Sequence, residues 1–221
     1  MRVRRSFAFV DLCGFTSLTD VHGDEYAVDV LAEFRVIARE ICSRRGVRIA
    51  KWLGDGCMLV GVETTPLVAS VLEMERRMAG VTHSLALRAG MTTGDVILFE
   101  GDDYIGHAVN LAARLCDAAE PHEVLAVPEL SECAPPWATV HEVPARAIRG
   151  LVRPVPLVEL SARHQSEGVV VDPVCRMELP SDAVVAMRSD PVSGVIGFCS
   201  ESCARTWEGR HEPVADEGLL A

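Results

Sequence analysis

Two periodicities of apolar residues organise the first part of the chain. Runs in which every second residue, or nearly every residue, is apolar predict β-strands, and runs with apolar residues three and four positions apart predict helices. The predicted strands cover residues 6–12, 47–52, 57–62, 84–92, 96–101 (a strand or a continuation of the one before) and 154–160. The predicted helices cover residues 24–44, 66–79 and 106–119, and Gly46 is expected to end the first of them. The leading order, β-α-β-β-α-β, is that of a ferredoxin-like α+β sandwich.

The last quarter of the chain differs in charge and in cysteine spacing. Residues 1–165 carry 22 acidic and 17 basic side chains, whereas residues 166–221 carry 10 acidic and 4 basic ones. Five cysteines are scattered through the first part, while Cys175, Cys199 and Cys203 lie within 29 residues. We therefore predict two domains. Their expected bounds are 1–162 for the first domain, 163–170 for a polar linker, 171–213 for a small second domain and 214–221 for a tail.

The composition excludes several classes of protein. A formal net charge of −11 argues against a nucleic-acid or anionic-membrane surface. No apolar run approaches the roughly 18 residues that a membrane-spanning helix needs. The first residues are basic and then apolar, but the apolar stretch is short and contains Asp11, which argues against a signal peptide. Eight cysteines without an export signal favour a cytoplasmic location with reduced thiols.

One turn between predicted strands carries unusual chemistry. Lys51 is the only lysine among 21 basic residues, and Asp55 follows it in a Gly-Asp-Gly hairpin turn. A codon-driven preference for arginine would also explain a single lysine. Asp11 ends the first strand, which should pair with the hairpin, so its carboxylate and that of Asp55 could converge. Two such carboxylates suit Mg²⁺ or Mn²⁺ bound with a phosphate-bearing substrate, although aspartates are also common in ordinary turns.

Five segments resemble, in order and spacing, the class III nucleotidyl cyclase catalytic domain: FVDLCGFT, KWLGDG, LRAGMTTGDV, DDYIGHAVNLAAR and IRGLVRPVPLVEL. The resemblance covers about residues 5–162. It implies that Asp11, Asp55 and the backbone carbonyl of Leu12 hold two Mg²⁺ or Mn²⁺ ions per active site. It further implies that the 3′-hydroxyl of a nucleoside triphosphate attacks the α-phosphorus while pyrophosphate leaves.

The same resemblance assigns roles to residues on the predicted helix 106–119 and on flanking segments. Asn110 would position the ribose, and Arg114 would neutralise charge that develops on the α-phosphate. Arg88 would contact the terminal phosphates, with a surface ion pair at a strand end as the alternative. Arg149 replaces the lysine that many members carry for the same purpose and remains a cation.

The choice of base depends on Lys51 and Asp103. Adenine presents an acceptor at N1 and a donor at its 6-amino group, and guanine reverses both. A lysine donor and an aspartate acceptor at the base-reading positions therefore favour ATP, with Asp103 preferred over its neighbour Asp102 by its spacing to Gly106. The resemblance thus implies an adenylyl cyclase that makes 3′,5′-cyclic AMP. A guanylyl cyclase, or a catalytically weak protein that senses ATP or metal, are the alternatives.

In this family the active sites form between subunits. The complete residue set in one chain therefore favours a homodimer with two sites.

Residues 171–211 resemble the YHS domain, a small treble-clef-like module, through the segments DPVCRM and FCSESC. The match is partial because the usual aromatic pair before the second cysteine is reduced to Gly197-Phe198. The resemblance implies metal binding by Cys175, Cys199 and Cys203, whose sulfurs suit Zn²⁺ or Cu⁺, and a metal- or redox-responsive influence on the cyclase. Asp172 and His211 are candidate fourth ligands, and three reduced cysteines packing a small core are the alternative.

Overall fold

The computed structural model of the chain describes residues 1–81, 85–101, 103–163 and 168–211. The contacts between Cα atoms divide the chain into two units, Met1–Arg163 and His164–Ala221. Among the helices of the described residues, none combines the length and the apolar character needed to cross a membrane.

The first unit begins with the order β-α-α-β-β-α-β, which is the expected β-α-β-β-α-β order with one additional helix. Its strands are β1 (Arg2–Leu12), β2 (Arg48–Leu53), β3 (Gly56–Gly61), β4 (Leu87–Phe99), β5 (Asp103–Ile105), β6 (Val124–Ala126), β7 (Ala138–Arg146) and β8 (Val155–Ala162). Its α-helices are α1 (Phe15–His22), α2 (Asp24–Arg45), α3 (Thr64–Ala79) and α4 (His107–Ala118), and a 3₁₀ helix covers Pro128–Cys133.

The sheet of this unit has the strand order β2-β3-β1-β4-β6-β8-β7, and β5 pairs with β4 outside that path. Strands β2, β3, β1 and β4 are mutually antiparallel neighbours, which is the ferredoxin-like order expected from the sequence. Every residue of the interior strand β3 is buried, which indicates that both of its faces are covered. Phe7 of β1 and Phe34 of α2 are fully buried in the core. This unit is therefore a mixed α+β domain.

Close packing of α4 against the sheet depends on one glycine. A Cβ atom added to Gly90 of β4 would lie 2.2 Å from the backbone nitrogen of Cys116, so only glycine allows α4 to approach β4 this closely. The contact fixes the helix that carries Asn110 and Arg114. Helix α2 ends at Gly46, which has φ of 68° in the left-handed region, as the sequence predicted.

Several elements differ from the expectations. The predicted strands 84–92 and 96–101 form one strand, β4, with Ser84 outside the described residues. Helix α1, strands β5 to β7 and the 3₁₀ helix were not predicted. Strand β7 was missed because its residues are mostly half-buried or exposed, which weakens the apolar alternation that identifies a strand.

Within residues 168–211, the second unit contains two hairpins, a short 3₁₀ helix and one α-helix. Strand β9 (Val169–Val171) pairs with β10 (Glu178–Pro180), and β11 (Ala186–Asp190) pairs with β12 (Gly194–Phe198). A short 3₁₀ helix covers Ser181–Ala183, and α5 covers Glu201–His211. Strand β9 begins inside the linker predicted over 163–170, whose residues 164–167 lie outside the described part. The predicted tail 214–221 also lies outside it.

Candidate active site and cysteine cluster

Two carboxylates approach each other where β1 ends and the β2–β3 turn lies. Asp11 is the penultimate residue of β1, and Asp55 lies in the turn between β2 and β3. The turn fits closely against β1, because a Cβ atom added to Gly56 would lie 2.5 Å from the Val10 carbonyl oxygen and 3.1 Å from Asp11 Oδ1. Burial raises the pKa of the Asp55 carboxyl, and the charge of Asp11 raises it further. The structure therefore brings together the two carboxylates that the sequence singled out.

Arg88 occupies the other side of the Asp11 carboxylate. Asp11 and Arg88 are Cα partners in the β1–β4 ladder. The guanidinium donates two hydrogen bonds to the same oxygen, from Nε to Asp11 Oδ2 at 3.0 Å and from Nη2 to Asp11 Oδ2 at 2.7 Å. Its Nη1 lies 3.5 Å from the carbonyl oxygen of Asp117, near the end of α4. The strand-end ion pair considered from the sequence is thus present, and its partner is a candidate metal ligand.

Leu12 ends β1 beside this pair of aspartates. The residue is almost completely buried, and because its aliphatic side chain has no ligand atom, only its backbone carbonyl could serve the site. The next residue is held in place, since the Cys13 backbone nitrogen donates a hydrogen bond to the Ala86 carbonyl oxygen at 2.8 Å.

Lys51 and Asp103 meet although 52 residues separate them. Lys51 Nζ donates a hydrogen bond to Asp103 Oδ1 at 2.8 Å, and the backbone nitrogen of Tyr104 donates to the same oxygen at 2.9 Å. The hydrogen bond from Lys51, and then that from Tyr104, lower the pKa of the Asp103 carboxyl. Both side chains remain nearly half exposed, at 45% and 43%, so they are accessible to a ligand.

The last residues of α4 line a cleft that shares Asp117 with the pocket beside Asp11. Asn110 and Arg114 are four residues apart on α4 and therefore share one face. The guanidinium of Arg114 packs against Gly150, where an added Cβ atom would lie 3.2 Å from Arg114 Cζ. A cleft of about 440 Å³ is lined by Arg114, Asp117, Ala118, Ala147 and Arg149. Two of the predicted phosphate-binding cations thus face one cleft. Among the described residues, no hydrogen bond or ion pair joins Arg114 to Asp11 or Asp55.

A clamp that the sequence did not reveal supports this cleft. Arg146, at the end of β7, donates a hydrogen bond to Glu123 at 2.9 Å and one to the carbonyl oxygen of Ala118 at 3.2 Å. Glu123 in turn accepts a hydrogen bond from the backbone nitrogen of Glu120 at 2.9 Å. The clamp ties the end of α4 to the end of β7, three residues before Arg149. Only the folded chain brings these residues together.

The second unit gathers four potential ligands around one point. The ligand atoms of Asp172, Cys175, Cys199 and Cys203 all lie within 4.8 Å of one another, and all four residues are buried. Cys199 Sγ lies 3.5 Å from Cys175 Sγ and 3.6 Å from Cys203 Sγ. Hydrogen bonds from Cys175, and then from Cys199, lower the pKa of the Cys203 thiol to about 4.

Asp172 organises the loops that carry these cysteines. Its Oδ1 accepts hydrogen bonds from the backbone nitrogens of Val174 at 2.8 Å and Cys175 at 3.2 Å, and its Oδ2 accepts one from the Cys199 nitrogen at 2.8 Å. The other candidate fourth ligand, His211, lies outside the group. The His211 ring stacks on Trp207, and its Nδ1–H donates to the Trp207 carbonyl oxygen.

Comparisons with known proteins give relatives for the first unit. A scan of protein-family models found no match to the chain. An uncharacterized protein of Mycobacterium tuberculosis is 34% identical over 152 residues, which cover 69% of this chain and 40% of that protein. A pH-sensitive adenylate cyclase of the same organism is 31% identical over 173 residues, which cover 75% of this chain and 43% of that protein. The chain therefore spans less than half the length of these relatives.

A solved structure agrees with these sequence relatives. The adenylyl cyclase CyaB from P. aeruginosa is similar with a TM-score of 0.63 and 26% sequence identity, over 75% of this chain and 97% of that one. Sequence and fold together support the assignment of the first unit to the class III adenylyl and guanylyl cyclase domains.

Proposed function

We propose that the protein is an adenylyl cyclase that converts ATP to 3′,5′-cyclic AMP and pyrophosphate at sites shared by two subunits. The observation that carries this proposal is the convergence of Asp11 and Asp55 in a unit that also pairs Lys51 with Asp103. The first pair suits divalent cations and the second suits adenine. Asp11, Asp55 and Asp103 lie at strand ends or in a turn of one sheet, and Lys51 lies within β2 of the same sheet.

The aspartates offer the donor set that Mg²⁺ or Mn²⁺ prefers. All the donors are oxygens, two from carboxylates and one from the Leu12 backbone, and they fit two cations per site. When bound, the cations offset the charge of the triphosphate and make the ribose 3′-hydroxyl a better nucleophile. Gly56, the residue after Asp55, approaches β1 closely, so the turn that carries Asp55 lies beside Asp11.

The cationic side chains act on the substrate itself. Arg114 would stabilise negative charge on the α-phosphate as the 3′-oxygen attacks and the bond to pyrophosphate breaks. Arg149, in the same cleft, and Arg88 would hold the leaving phosphates. Asn110, one turn before Arg114 on α4, would fix the ribose by hydrogen bonds.

Lys51 and Asp103 would select the base. Lys51 can donate to adenine N1 while Asp103 accepts from the 6-amino group, and guanine would place a donor opposite the lysine and an acceptor opposite the aspartate. Guanine would leave these donor and acceptor groups unpaired, which favours ATP over GTP. A guanylyl cyclase is the second candidate, and it would require these two residues to take no part in reading the base.

A shared site would explain why Arg114 forms no hydrogen bond or ion pair with Asp11 or Asp55 of its own chain, among the described residues. Asp11 and Asp55 lie in one group, and Arg114 lies against Gly150 in another. We expect a mixture of equal amounts of inactive Asp11→Ala and Arg114→Ala subunits to recover about a quarter of wild-type activity, because half the dimers regain one of two sites. The activity is measured after subunit exchange has been verified with two different affinity tags. No recovery in exchanged dimers would mean that each chain builds its own site.

The second unit, whose YHS-like, treble-clef-like character is part of this proposal, would bind one thiophilic ion. The Cys199 sulfur lies 3.5 Å from the Cys175 sulfur and 3.6 Å from the Cys203 sulfur. Ligands of a single Zn²⁺ or Cu⁺ would be spaced in this way. A unit of about 45 residues seldom folds on its apolar core alone, so the ion would supply folding free energy. Elemental analysis of protein purified under reducing conditions should find close to one such ion per chain. Its absence would leave three reduced cysteines packing a small core.

Turnover by the purified full chain tests the proposed function. With ATP and Mn²⁺ or Mg²⁺, cyclic AMP and pyrophosphate should form in equal amounts, and product from GTP should be much lower. A chain that binds ATP but forms no cyclic product would instead be a nucleotide or metal sensor with a cyclase fold.

A further inference from the structure

The two oxygens of the Asp11 carboxylate face different parts of the chain. Its Oδ1 faces the turn that carries Asp55, since an added Cβ atom at Gly56 would lie 3.1 Å from that oxygen. Its Oδ2 accepts both hydrogen bonds from Arg88, at 3.0 and 2.7 Å. The Arg88 guanidinium therefore already offsets the negative charge at Oδ2 of Asp11, a candidate metal ligand.

Arg88 is well held in this position. It stands directly opposite Asp11 in the β1–β4 ladder, and its side chain is 29% exposed beside the 25% exposed carboxylate. Its Nη1 also lies 3.5 Å from the Asp117 carbonyl oxygen of α4. Charge-assisted hydrogen bonds of this kind are stronger than neutral ones, so a cation that needs Asp11 Oδ2 must compete with the guanidinium.

We propose that Arg88 couples the binding of divalent cation and nucleotide by leaving Asp11 for the triphosphate. This inference rests on the proposed function, because it uses a nucleotide as the second partner of Arg88. Without nucleotide, the guanidinium holds Asp11 Oδ2 and weakens cation binding. With nucleotide, the guanidinium binds the phosphates instead, and both oxygens of Asp11 become available to the cation. A cation and a nucleotide then strengthen each other's binding, and by linkage the effect is equal in both directions.

The test compares Mn²⁺ binding with and without nucleotide. Bound Mn²⁺ is followed by electron paramagnetic resonance in the full chain, alone and with saturating α,β-methylene-ATP, and the Mn²⁺–analogue complex in solution is titrated separately and subtracted. In Arg88→Gln, we expect Mn²⁺ affinity to rise about tenfold without the analogue, because one charge-assisted contact no longer competes. With the analogue, the affinity should stay within about twofold of wild type.

Arg35→Gln is the matched control. Arg35 is a second guanidinium near the Asp55 turn, but its Nη2 lies 3.4 Å from the Gly54 carbonyl oxygen and its guanidinium stacks over Trp52. Its removal changes the local charge by the same amount. We expect a smaller change in Mn²⁺ affinity, equal with and without the analogue. Arg88→Lys, which keeps the charge but donates from a single nitrogen, should fall between wild type and Arg88→Gln.

The outcomes separate the inference from the proposed function. An equal gain in Mn²⁺ affinity with and without the analogue would overturn the coupling, because Arg88 would then remain on Asp11 in both states. If the Mn²⁺ affinity of both Arg88 variants equalled that of wild type, Arg88 would not compete with the cation for Asp11. A wild-type chain that binds Mn²⁺ but not the analogue would instead refute the proposed substrate, while a gain without the analogue would still support the competition at Asp11.

Discussion

The two units of the chain place their reactive groups differently with respect to their cores. In Met1–Arg163 the core is mostly apolar, with Phe7, Phe34 and Trp137 almost completely buried, while the Lys51–Asp103 pair lies at the surface. In residues 168–211 the reactive groups are part of the core. Three thiols and the Asp172 carboxylate are buried, as are the apolar side chains of Phe198 and Met177.

This difference indicates which substitutions should affect function and which should affect folding. A carboxylate in a turn at the margin of an apolar core can be removed with little loss of packing. A buried thiol that contacts two others cannot, and neither can an aspartate that accepts three backbone hydrogen bonds. We therefore expect activity and stability to separate between the two units.

The largest effect should come from Asp55→Ala. Turnover should fall by about 10³-fold or more, because half of the carboxylate pair that would hold the cations is lost. The melting temperature should stay close to that of wild type, since Asp55 lies in a turn outside the core. Cyclase assays and calorimetry on the same samples measure both. Asp29→Ala, which removes an exposed carboxylate of α2, is the control. An Asp55→Ala chain that retained most of its activity would refute the metal assignment.

Cys199→Ser should show the opposite pattern. Cys199 is the sulfur that lies within 3.6 Å of both other thiols, so its loss should unfold the second unit and release any bound ion. Hydrogen exchange followed by mass spectrometry should show full exchange of peptides from residues 169–211 within seconds, and protection of β1 and β3 should persist. Turnover should stay within about twofold, if the second unit takes no part in the catalytic fold.

Cys133→Ser is the control, because Cys133 is only half-buried in the 3₁₀ helix of the first unit. Protection of the second unit should be unaffected in that variant. A Cys199→Ser chain with normal protection over residues 169–211 would show that the cysteine cluster is dispensable for folding.

Glu123→Gln should affect both properties moderately. It weakens the clamp between β7 and the end of α4, which we expect to lower the free energy of unfolding by about 1–3 kcal/mol. Because the clamp precedes Arg149 by a few residues, turnover should fall by roughly tenfold through misplacement of the phosphate-binding cleft. Chemical denaturation and steady-state kinetics provide the measurements. Glu142→Gln, an exposed position on β7, should change neither. Equal values for the two variants would show that the clamp does not position the cleft.

The sequence predicted the main elements of the first unit because they repeat one strong pattern. Helix α2 places buried residues at helical spacing, including Phe34, Ile37 and Ile41, and Gly46 supplies the left-handed residue that ends it. The βαββ order then implied that β1 would lie between β3 and β4. Pairing of β1 with β3 brings Asp11 near the turn that carries Asp55, so the order of the elements predicts that the two carboxylates converge.

The pairs that depend on register or on distant segments were not predictable. The Arg88–Asp11 contact requires residues 77 positions apart to be opposite each other in the β1–β4 ladder. The Glu123–Arg146 clamp depends on β7, whose alternation of apolar and polar residues is too weak to be recognised. Asp172 was named only as a candidate ligand, and its three backbone hydrogen bonds follow from loop conformations that local sequence does not specify.

The most direct test of the central claim is the ratio of cyclic AMP to cyclic GMP formed when Lys51 and Asp103 are exchanged. Lys51→Glu with Asp103→Cys reverses the donor and acceptor pattern that faces the base, while both side chains are exposed enough to be replaced without disturbing the core. Product formation from ATP and from GTP is measured for wild type and the double variant at equal Mn²⁺ concentration. We expect wild type to form mainly cyclic AMP and the variant to shift its ratio toward cyclic GMP. An unchanged ratio in a folded, active double variant would contradict the assignment of these two residues to base selection.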